Sequence, residues 1–164
     1  MLLYDAIEDI NLWPDELKIL VVDDEQDSLN LVGFSLERAG FQVLRTTEPE
    51  ASINLAHQEK PDLLILDAKL PRLGSLDLLR RIRRHPRLTD IPVILVSAQS
   101  NSADQAHLLN LSLAQNSEID AYIGKPFDPT LFLKTVKSVL VKHKDFLVMK
   151  GDIAEDGEWL RAYH

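Results

Sequence analysis

The 164-residue sequence contains no cysteine. Disulfides, thiolate metal sites and thiol nucleophiles are therefore excluded. Cations are also scarce, because 18 Lys and Arg face 26 Asp and Glu, which gives a formal net charge of −8. Proteins that bind the phosphate backbone of nucleic acid usually have the opposite balance, so we expect no direct nucleic-acid contact. The acidic balance favours a cation or a basic partner surface instead.

Long hydrophobic runs are absent as well. No uninterrupted apolar stretch approaches the roughly 18 residues that a membrane-spanning helix needs. The first ten residues, MLLYDAIEDI, carry acids where a secretory leader carries bases. We therefore expect a cytoplasmic protein without membrane insertion. Hydrophobic residues still make up 45% of the chain, enough for one domain with a sizeable core.

Five short apolar runs recur along the chain, and most are continuous rather than alternating in polarity. This pattern is typical of strands buried on both faces. Segments with helical spacing separate the runs, and such alternation predicts a parallel sheet with helices on both faces. The predicted strands are Lys18–Val22, Gln42–Thr46, Leu63–Leu66, Val93–Ser97 and Ala121–Ile123.

Helix boundaries can also be read from the sequence. One helical stripe ends at Gly40, a residue that favours the left-handed conformation after a helix. Pro49 and Ser75 are suited to opening the second and third helices. Asp128 provides an N-cap for the last helix, with Pro129 in its first turn.

Reactive side chains occur at the ends of four of the predicted strands. Asp23 and Asp24 end the first, Asp67 the third and Ser97 the fourth, while Lys125 follows the fifth. Because the carboxyl ends of parallel strands meet at one edge of a sheet, we expect these groups to gather there. Neighbouring carboxylates repel each other and are costly to desolvate, so they need a counter-charge. Hard oxygen ligands of this kind suit Mg²⁺.

These motifs resemble those of response-regulator receiver domains of bacterial two-component signalling. The DD pair, the Asp of LDAKLP, the SA and the KPF occur in the same order on the matching elements. The resemblance covers about Lys18 to Lys144. It implies a flavodoxin-like α/β fold, a doubly wound five-stranded parallel sheet in the order 2-1-3-4-5. We divide the chain into an N-terminal extension (1–16), a receiver domain (17–144) and a C-terminal extension (145–164) that packs on the domain or on a partner.

The resemblance also implies roles for individual residues. Asp67 would accept a phosphoryl group from a sensor histidine kinase or a histidine phosphotransfer protein. Asp23, Asp24 and Asp67, with the backbone carbonyl of Lys69, would hold Mg²⁺. Lys125 and the Ser97 hydroxyl would contact the phosphoryl oxygens. Such a protein catalyses its own phosphorylation and dephosphorylation and is not a turnover enzyme on a separate substrate.

Further expectations concern signalling after phosphorylation. In the family, the hydroxyl at Ser97 moves towards the phosphoryl group and the aromatic at Tyr122 turns inward, which reshapes a protein-binding face. Lys69 and Gln99 occupy positions that border the path of the attacking water. The loop after Asp67 departs from the family pattern at Gly74 and Ser75, so its turn is expected to differ in shape.

The segment between Ser97 and Lys125 is longer than usual, since the two residues lie 28 positions apart. A helix from about Ser102 to Gln115 would place Leu108 and Leu111 on the side away from the sheet. This pair is either a docking patch for a partner or a second copy, or it is covered by the added loop or the apolar tail.

The expected output is protein contact, either with a downstream target or in a homodimer, because no output domain follows the last predicted helix. Two other functions would use similar residues or the same fold. A phosphatase of the haloacid dehalogenase type needs a second acid two residues after its nucleophile, where this chain has Lys69. A phosphorylation-independent interaction module with the receiver fold stays open as the alternative.

Overall fold

The structure is a computed structural model that describes residues 16–70, 73–98 and 118–150. Its strands form one parallel sheet, as the sequence pattern predicts, in the order β2-β1-β3-β4-β5 that the resemblance implies. The strands are β1 (Lys18–Val22), β2 (Gln42–Thr46), β3 (Leu63–Asp67), β4 (Val93–Ala98) and β5 (Ala121–Lys125). The helices of the described ranges are α1 (Gln26–Arg38), α2 (Pro49–Glu59), α3 (Ser75–Ile82) and α4 (Pro129–Lys150), with a short 3₁₀ turn at Pro86–Leu88.

Burial follows the position of each strand in the sheet. The three inner strands β1, β3 and β4 are buried over most of their length, whereas the edge strands β2 and β5 are only half-buried. The inner strands therefore need apolar side chains on both faces, which explains their continuous rather than alternating hydrophobic runs. The last three strands extend one or two residues further than predicted, so that Asp67 and Lys125 are themselves strand residues.

Helices cover both faces of the sheet and close two hydrophobic cores. On one face, α1 and α4 contribute a cluster that includes Leu29, Leu36 and Phe132. On the other face, α2 and α3 contribute Ala56 and Leu79 to a second cluster. Alternate strand residues face the two cores, which confirms the doubly wound architecture.

The predicted helix boundaries are largely confirmed. Gly40 follows α1 with a φ of 99°, a conformation that other residues adopt only with strain. Pro49 is the first residue of α2. Ser75 is the first residue of α3, but its side chain makes no capping hydrogen bond to that helix.

The N-terminus of α4 carries the cap that the sequence predicts. Asp128 Oδ1 accepts hydrogen bonds from the backbone N–H groups of Thr130 at 2.8 Å and Leu131 at 3.5 Å. Replacing Asp128 with alanine should lower the free energy of unfolding by about 1 kcal/mol, because these donors lose their acceptor. Urea denaturation measures this loss. Asp128→Ser, which keeps an acceptor, should stay close to wild type, and equal losses in both variants would contradict the capping role.

Several predictions fall outside the described residues. They include residues 1–15 of the predicted N-terminal extension (1–16), the helix from about Ser102 to Gln115, and the packing of the chain after residue 150. The boundary expected at residue 144 stays a prediction, although α4 continues through it to Lys150, with Leu147 buried. Within the described ranges, no helix combines the length and the apolar character needed to cross a membrane.

Candidate functional site

Three carboxylates converge at the carboxyl end of the sheet. Asp23 and Asp24 follow β1, and Asp67 is the last residue of β3. One oxygen atom of each carboxylate lies within 4.8 Å of the others. Asp23 is buried, Asp67 is half-buried and Asp24 is exposed, so the cluster opens to solvent on one side. The predicted grouping of the three acids is thus present in the structure.

Lys125 partly compensates this cluster by pairing with its most buried member. Its Nζ donates to Asp23 Oδ2 at 2.8 Å, and the side chains are only 19% and 5% exposed. The backbone N–H of Glu25 donates to Asp23 Oδ1 at 3.0 Å. Burial on its own would raise the pKa of Asp23, but the hydrogen bonds from Lys125 and Glu25 outweigh it and hold that pKa below its usual value. Asp23 is therefore ionised at neutral pH.

Asp67 experiences the opposite balance. Burial, together with the negative charge of Asp23, raises the pKa of Asp67 to about 7. A hydrogen bond from the backbone N–H of Lys69 at 3.1 Å and the charge of Lys125 oppose the rise without cancelling it. The two carboxyl groups consequently have divergent pKa values, which is typical of functional sites.

The loop between β3 and α3 is attached directly to the strand end. Gly74 has a φ of 79°, and the next residue, Ser75, is buried. The Ser75 hydroxyl donates to the backbone carbonyl of Asp67 rather than capping α3. Ser75 thus ties the start of α3 to the backbone of Asp67.

Ser97 lies on the neighbouring strand β4, buried near its end. The register pairs Asp67 with Val96, the residue before Ser97, and pairs Lys125 with Ala98, the residue after it. The Ser97 hydroxyl lies 3.5 Å from the Ala98 carbonyl oxygen, a long contact that constrains it weakly. The fold therefore aligns Ser97 between the strands that carry Asp67 and Lys125.

Tyr122 is half-buried on β5 and packs against the core cluster that includes Leu95. Its hydroxyl is buried, and it has no hydrogen-bond partner within residues 16–70, 73–98 and 118–150. Burial raises the pKa of the phenol. A buried hydroxyl without a hydrogen-bond partner destabilises the present rotamer of Tyr122, so a change of rotamer costs little free energy.

The structure does not place every predicted site residue. The backbone N–H of Lys69 donates to Asp67. The predicted binding of a metal by the Lys69 carbonyl oxygen is a separate role, and it stays a prediction. Gln99, Leu108 and Leu111 lie outside the described residues. The ion pair between Lys125 and Asp23 was not foreseen, and neither was the Ser75 contact. For Ser75 the available signal was its unusual position in the loop after Asp67.

The donor set fits a divalent cation. One oxygen atom from each of three carboxylates lies within 4.8 Å of the others, and the ammonium of Lys125 offsets only part of their charge. Mg²⁺ prefers such oxygen donors, with water filling the remaining positions. The Lys125–Pro126 peptide bond is cis.

Comparison with known proteins agrees with this geometry. The family model described as the response regulator receiver domain matches residues 19–137. The chain is 36% identical over 141 residues to the transcriptional regulatory protein GltR of Pseudomonas aeruginosa, covering 86% of this chain and 56% of that protein. It is 34% identical over 123 residues to the alkaline phosphatase synthesis transcriptional regulatory protein PhoP of Bacillus subtilis, covering 75% of this chain and 48% of that protein. The chain thus spans about half the length of these relatives.

Solved structures show the same fold. A response regulator receiver domain protein from Clostridium thermocellum superposes with a TM-score of 0.67 at 26% identity, covering 79% of this chain and 98% of the other. The chemotaxis protein CheY4 of Vibrio cholerae gives a TM-score of 0.63 at 22% identity, covering 75% and 98%, and this likeness concerns the fold alone. With the family model covering most of the sheet and its connecting helices, the chain belongs to the response-regulator receiver family.

Proposed function

We propose that this chain accepts a phosphoryl group on Asp67, in a Mg²⁺-dependent reaction, from a sensor histidine kinase or a histidine phosphotransfer protein. One observation carries the proposal: Asp67 ends its strand within 4.8 Å of two further carboxylates, and Lys125 lies against the same cluster. Receiver domains take phosphoryl groups from histidine kinases and bind Mg²⁺ at an acidic pocket of this kind. They are signalling modules and not classical enzymes.

In the proposed reaction, a carboxylate oxygen of Asp67 attacks the phosphorus atom. The new O–P bond forms as the P–N bond to the donor histidine breaks, and the imidazole leaves with the electron pair. Asp67 must be ionised to attack, and its pKa of about 7 leaves a substantial protonated fraction at neutral pH. Binding of a cation to the acidic cluster favours the ionised form, which links metal binding to nucleophile activation.

Charge neutralisation is the second requirement of phosphoryl transfer. Asp23, Asp24 and Asp67 would hold Mg²⁺, whose positive charge would offset the negative charges of the carboxylates and of the phosphoryl oxygens. Lys125 supplies a further positive charge, and its ammonium is already held at the cluster by Asp23 at 2.8 Å. The backbone N–H of Lys69 keeps one Asp67 oxygen in place at 3.1 Å, so the other oxygen is the one that we expect to react.

Signal output would follow from Ser97 and Tyr122. The weakly constrained Ser97 hydroxyl can turn to the phosphoryl group, and Tyr122, whose buried hydroxyl has no partner within the described residues, can change its rotamer in response. The altered surface would then contact a downstream protein target or a second copy of the chain. Lys69 and Gln99 would govern access of water during dephosphorylation. The docking role of Leu108 and Leu111 stays a prediction.

The expectation of no direct nucleic-acid contact gains no support from the relatives. Their names are those of transcriptional regulatory proteins, and the chain spans only about half their length. The acidic net charge of −8 remains the argument against such contact by the residues of this chain.

Mass spectrometry after incubation with acetyl phosphate and Mg²⁺ tests the proposed function. We expect the intact protein to gain the mass of one phosphoryl group, and the gain to disappear in Asp67→Asn and when Mg²⁺ is chelated. Asp77→Asn is a matched control, because it removes an exposed aspartate of α3. Wild-type protein that gains no mass would favour the phosphorylation-independent interaction module. A mass gain that persists in Asp67→Asn would place the phosphoryl group on another residue.

A further inference from the structure

Positive charge is concentrated in one short segment of this acidic chain. Five of the 18 Lys and Arg residues lie between positions 80 and 87, a stretch that contains no acid. The rest of the chain contains 13 Lys and Arg residues and all 26 Asp and Glu residues. The segment spans the end of α3 and the following 3₁₀ turn, so the charge lies on a fixed part of the fold.

Two of these arginines serve the fold itself. Arg80 lies 3.6 Å from Glu118 and forms a second ion pair with Asp77 at the same distance. Arg83 is half-buried and donates to the backbone carbonyl of Ile91 at 2.6 Å. These contacts account for their presence without any ligand.

Arg81 and Arg84 are different. Both side chains are exposed, and neither forms an ion pair within the part of the chain that the structure describes. Arg81 lies in the last turn of α3, and Arg84 lies two residues beyond the helix, where its backbone N–H donates to the Arg81 carbonyl oxygen at 3.3 Å. Two exposed guanidinium groups on one turn of the chain raise the local positive potential, and an anionic partner would lower it.

Two histidines join the end of α2 to the end of α3, and Lys60 lies close enough to affect one of them. The rings of His57 and His85 lie 5.5 Å apart, and the pKa of His85 is lowered by burial and then by the positive charges of Lys60, His57 and Arg87. His57 Nε2 lies 3.1 Å from the carbonyl oxygen of Ile82, which joins the end of α2 to the end of α3. We call Lys60, Arg81 and Arg84 the basic edge.

The basic edge is remote from Asp67. It lies where α2 and α3 end, and each of these helices returns the chain to the amino end of the next strand. The phosphoacceptor lies at the carboxyl end of the same sheet. The acid next to Lys60 in the sequence, Glu59, is already paired with Lys18 at 3.1 Å. A partner could therefore occupy the basic edge without covering the phosphorylation site.

We propose that the basic edge binds an acidic segment of a partner protein, with two or three carboxylates contacting Arg81, Arg84 and Lys60. Arginine pairs with carboxylates through two parallel hydrogen bonds, which suits a short and specific contact. The inference adds an interaction surface to the proposed function and does not depend on phosphorylation.

The structure favours a protein segment over other polyanions. Nucleic acid binding commonly uses about 6–10 phosphate contacts, more than three residues can supply. Outside positions 80–87 the chain carries twice as many acids as cations, which opposes any extended polyanion. An anionic membrane surface would favour exposed apolar side chains beside the cations. The large exposed hydrophobic residues of the described ranges lie instead on α1 and α4, at Leu31, Phe34, Leu131, Phe146 and Met149.

Fluorescence anisotropy with a labelled peptide of alternating glutamate and glycine tests the proposal on the full chain. We expect salt-sensitive binding that weakens about tenfold, or 1.4 kcal/mol, in the double variant Arg81→Gln/Arg84→Gln. The pair Arg38→Gln/Lys137→Gln is the matched control, since it changes the net charge equally at residues of α1 and α4. The control variant should bind the peptide like wild type. Both double variants should be labelled by acetyl phosphate to the same extent as wild type.

Each remaining outcome would overturn the proposal. Equal binding by wild type and Arg81→Gln/Arg84→Gln would show that the peptide binds elsewhere or only through net charge. Tighter binding of a random-sequence DNA duplex, or of vesicles containing phosphatidylserine, that is lost in the same variant would assign the edge to nucleic acid or to a membrane. Circular dichroism checks that the variant is folded, which we expect because both side chains are exposed.

Discussion

Replacing Lys125 with alanine should lower the free energy of unfolding by about 3 kcal/mol in the absence of Mg²⁺. The variant would leave Asp23 ionised and 95% buried, with its best partner removed. Breaking a buried pair from one side costs far more than the pair contributes, since the stranded charge has lost its hydration as well. Urea denaturation at neutral pH measures the effect. From the sequence alone the same change would be expected to leave the fold intact, because Lys125 ends a strand.

Two further variants isolate the cause of this loss. Lys18→Ala removes an exposed ion pair with Glu59 and should cost less than about 1 kcal/mol. Adding Asp23→Asn to Lys125→Ala should restore part of the lost stability, because the stranded carboxylate is gone. Millimolar Mg²⁺ should also reduce the cost of Lys125→Ala by supplying an alternative positive charge. A cost that persists unchanged in the double variant would show that Lys125 stabilises the fold through packing instead.

The architecture was predictable because its signals are local and redundant. Continuous apolar runs at Ile19–Val22 and Leu63–Leu66 can only be buried on both faces, and this requirement selects a covered parallel sheet. Helix boundaries at Gly40 and Pro49 depend on the conformational preferences of single residues. Such features do not depend on which distant residues they meet.

The clustering of the acids was predictable for a topological reason. Once the sheet is parallel, Asp23 and Asp67 must lie at the same edge, whatever the details of packing. The partner of Lys125 was not predictable in the same way, because three carboxylates were available to it. Only the packing of the folded chain selects Asp23, 102 residues away in sequence. The Ser75 contact with the Asp67 carbonyl likewise depends on the shape of one loop.

Replacing Asp67 with asparagine should stabilise the metal-free protein, and the gain should grow with pH. The carboxyl group has a pKa near 3.9 in the unfolded chain and about 7 in the fold. Below about pH 4 the Asp67 carboxyl is protonated in both the folded and the unfolded protein, so its ionisation does not lower the free energy of unfolding. As the pH rises towards 7 the unfolded state ionises first, stability is lost, and above about 7 the loss is complete. We expect Asp67→Asn to melt about 5 °C above wild type at pH 8 and close to it at pH 4.

The same two proteins distinguish a phosphoacceptor pocket from an ordinary acidic surface. Mg²⁺ should raise the melting temperature of wild type by ligand linkage, and this rise should be much smaller in Asp67→Asn, which lacks one ligand charge. Asp77→Asn again provides the control, because that aspartate is exposed on α3 and should alter neither the pH dependence nor the response to Mg²⁺. If the difference between wild type and Asp67→Asn is the same at pH 4 and pH 8, burial beside Asp23 does not govern the ionisation of Asp67. The link between metal binding and nucleophile activation would then lose its basis.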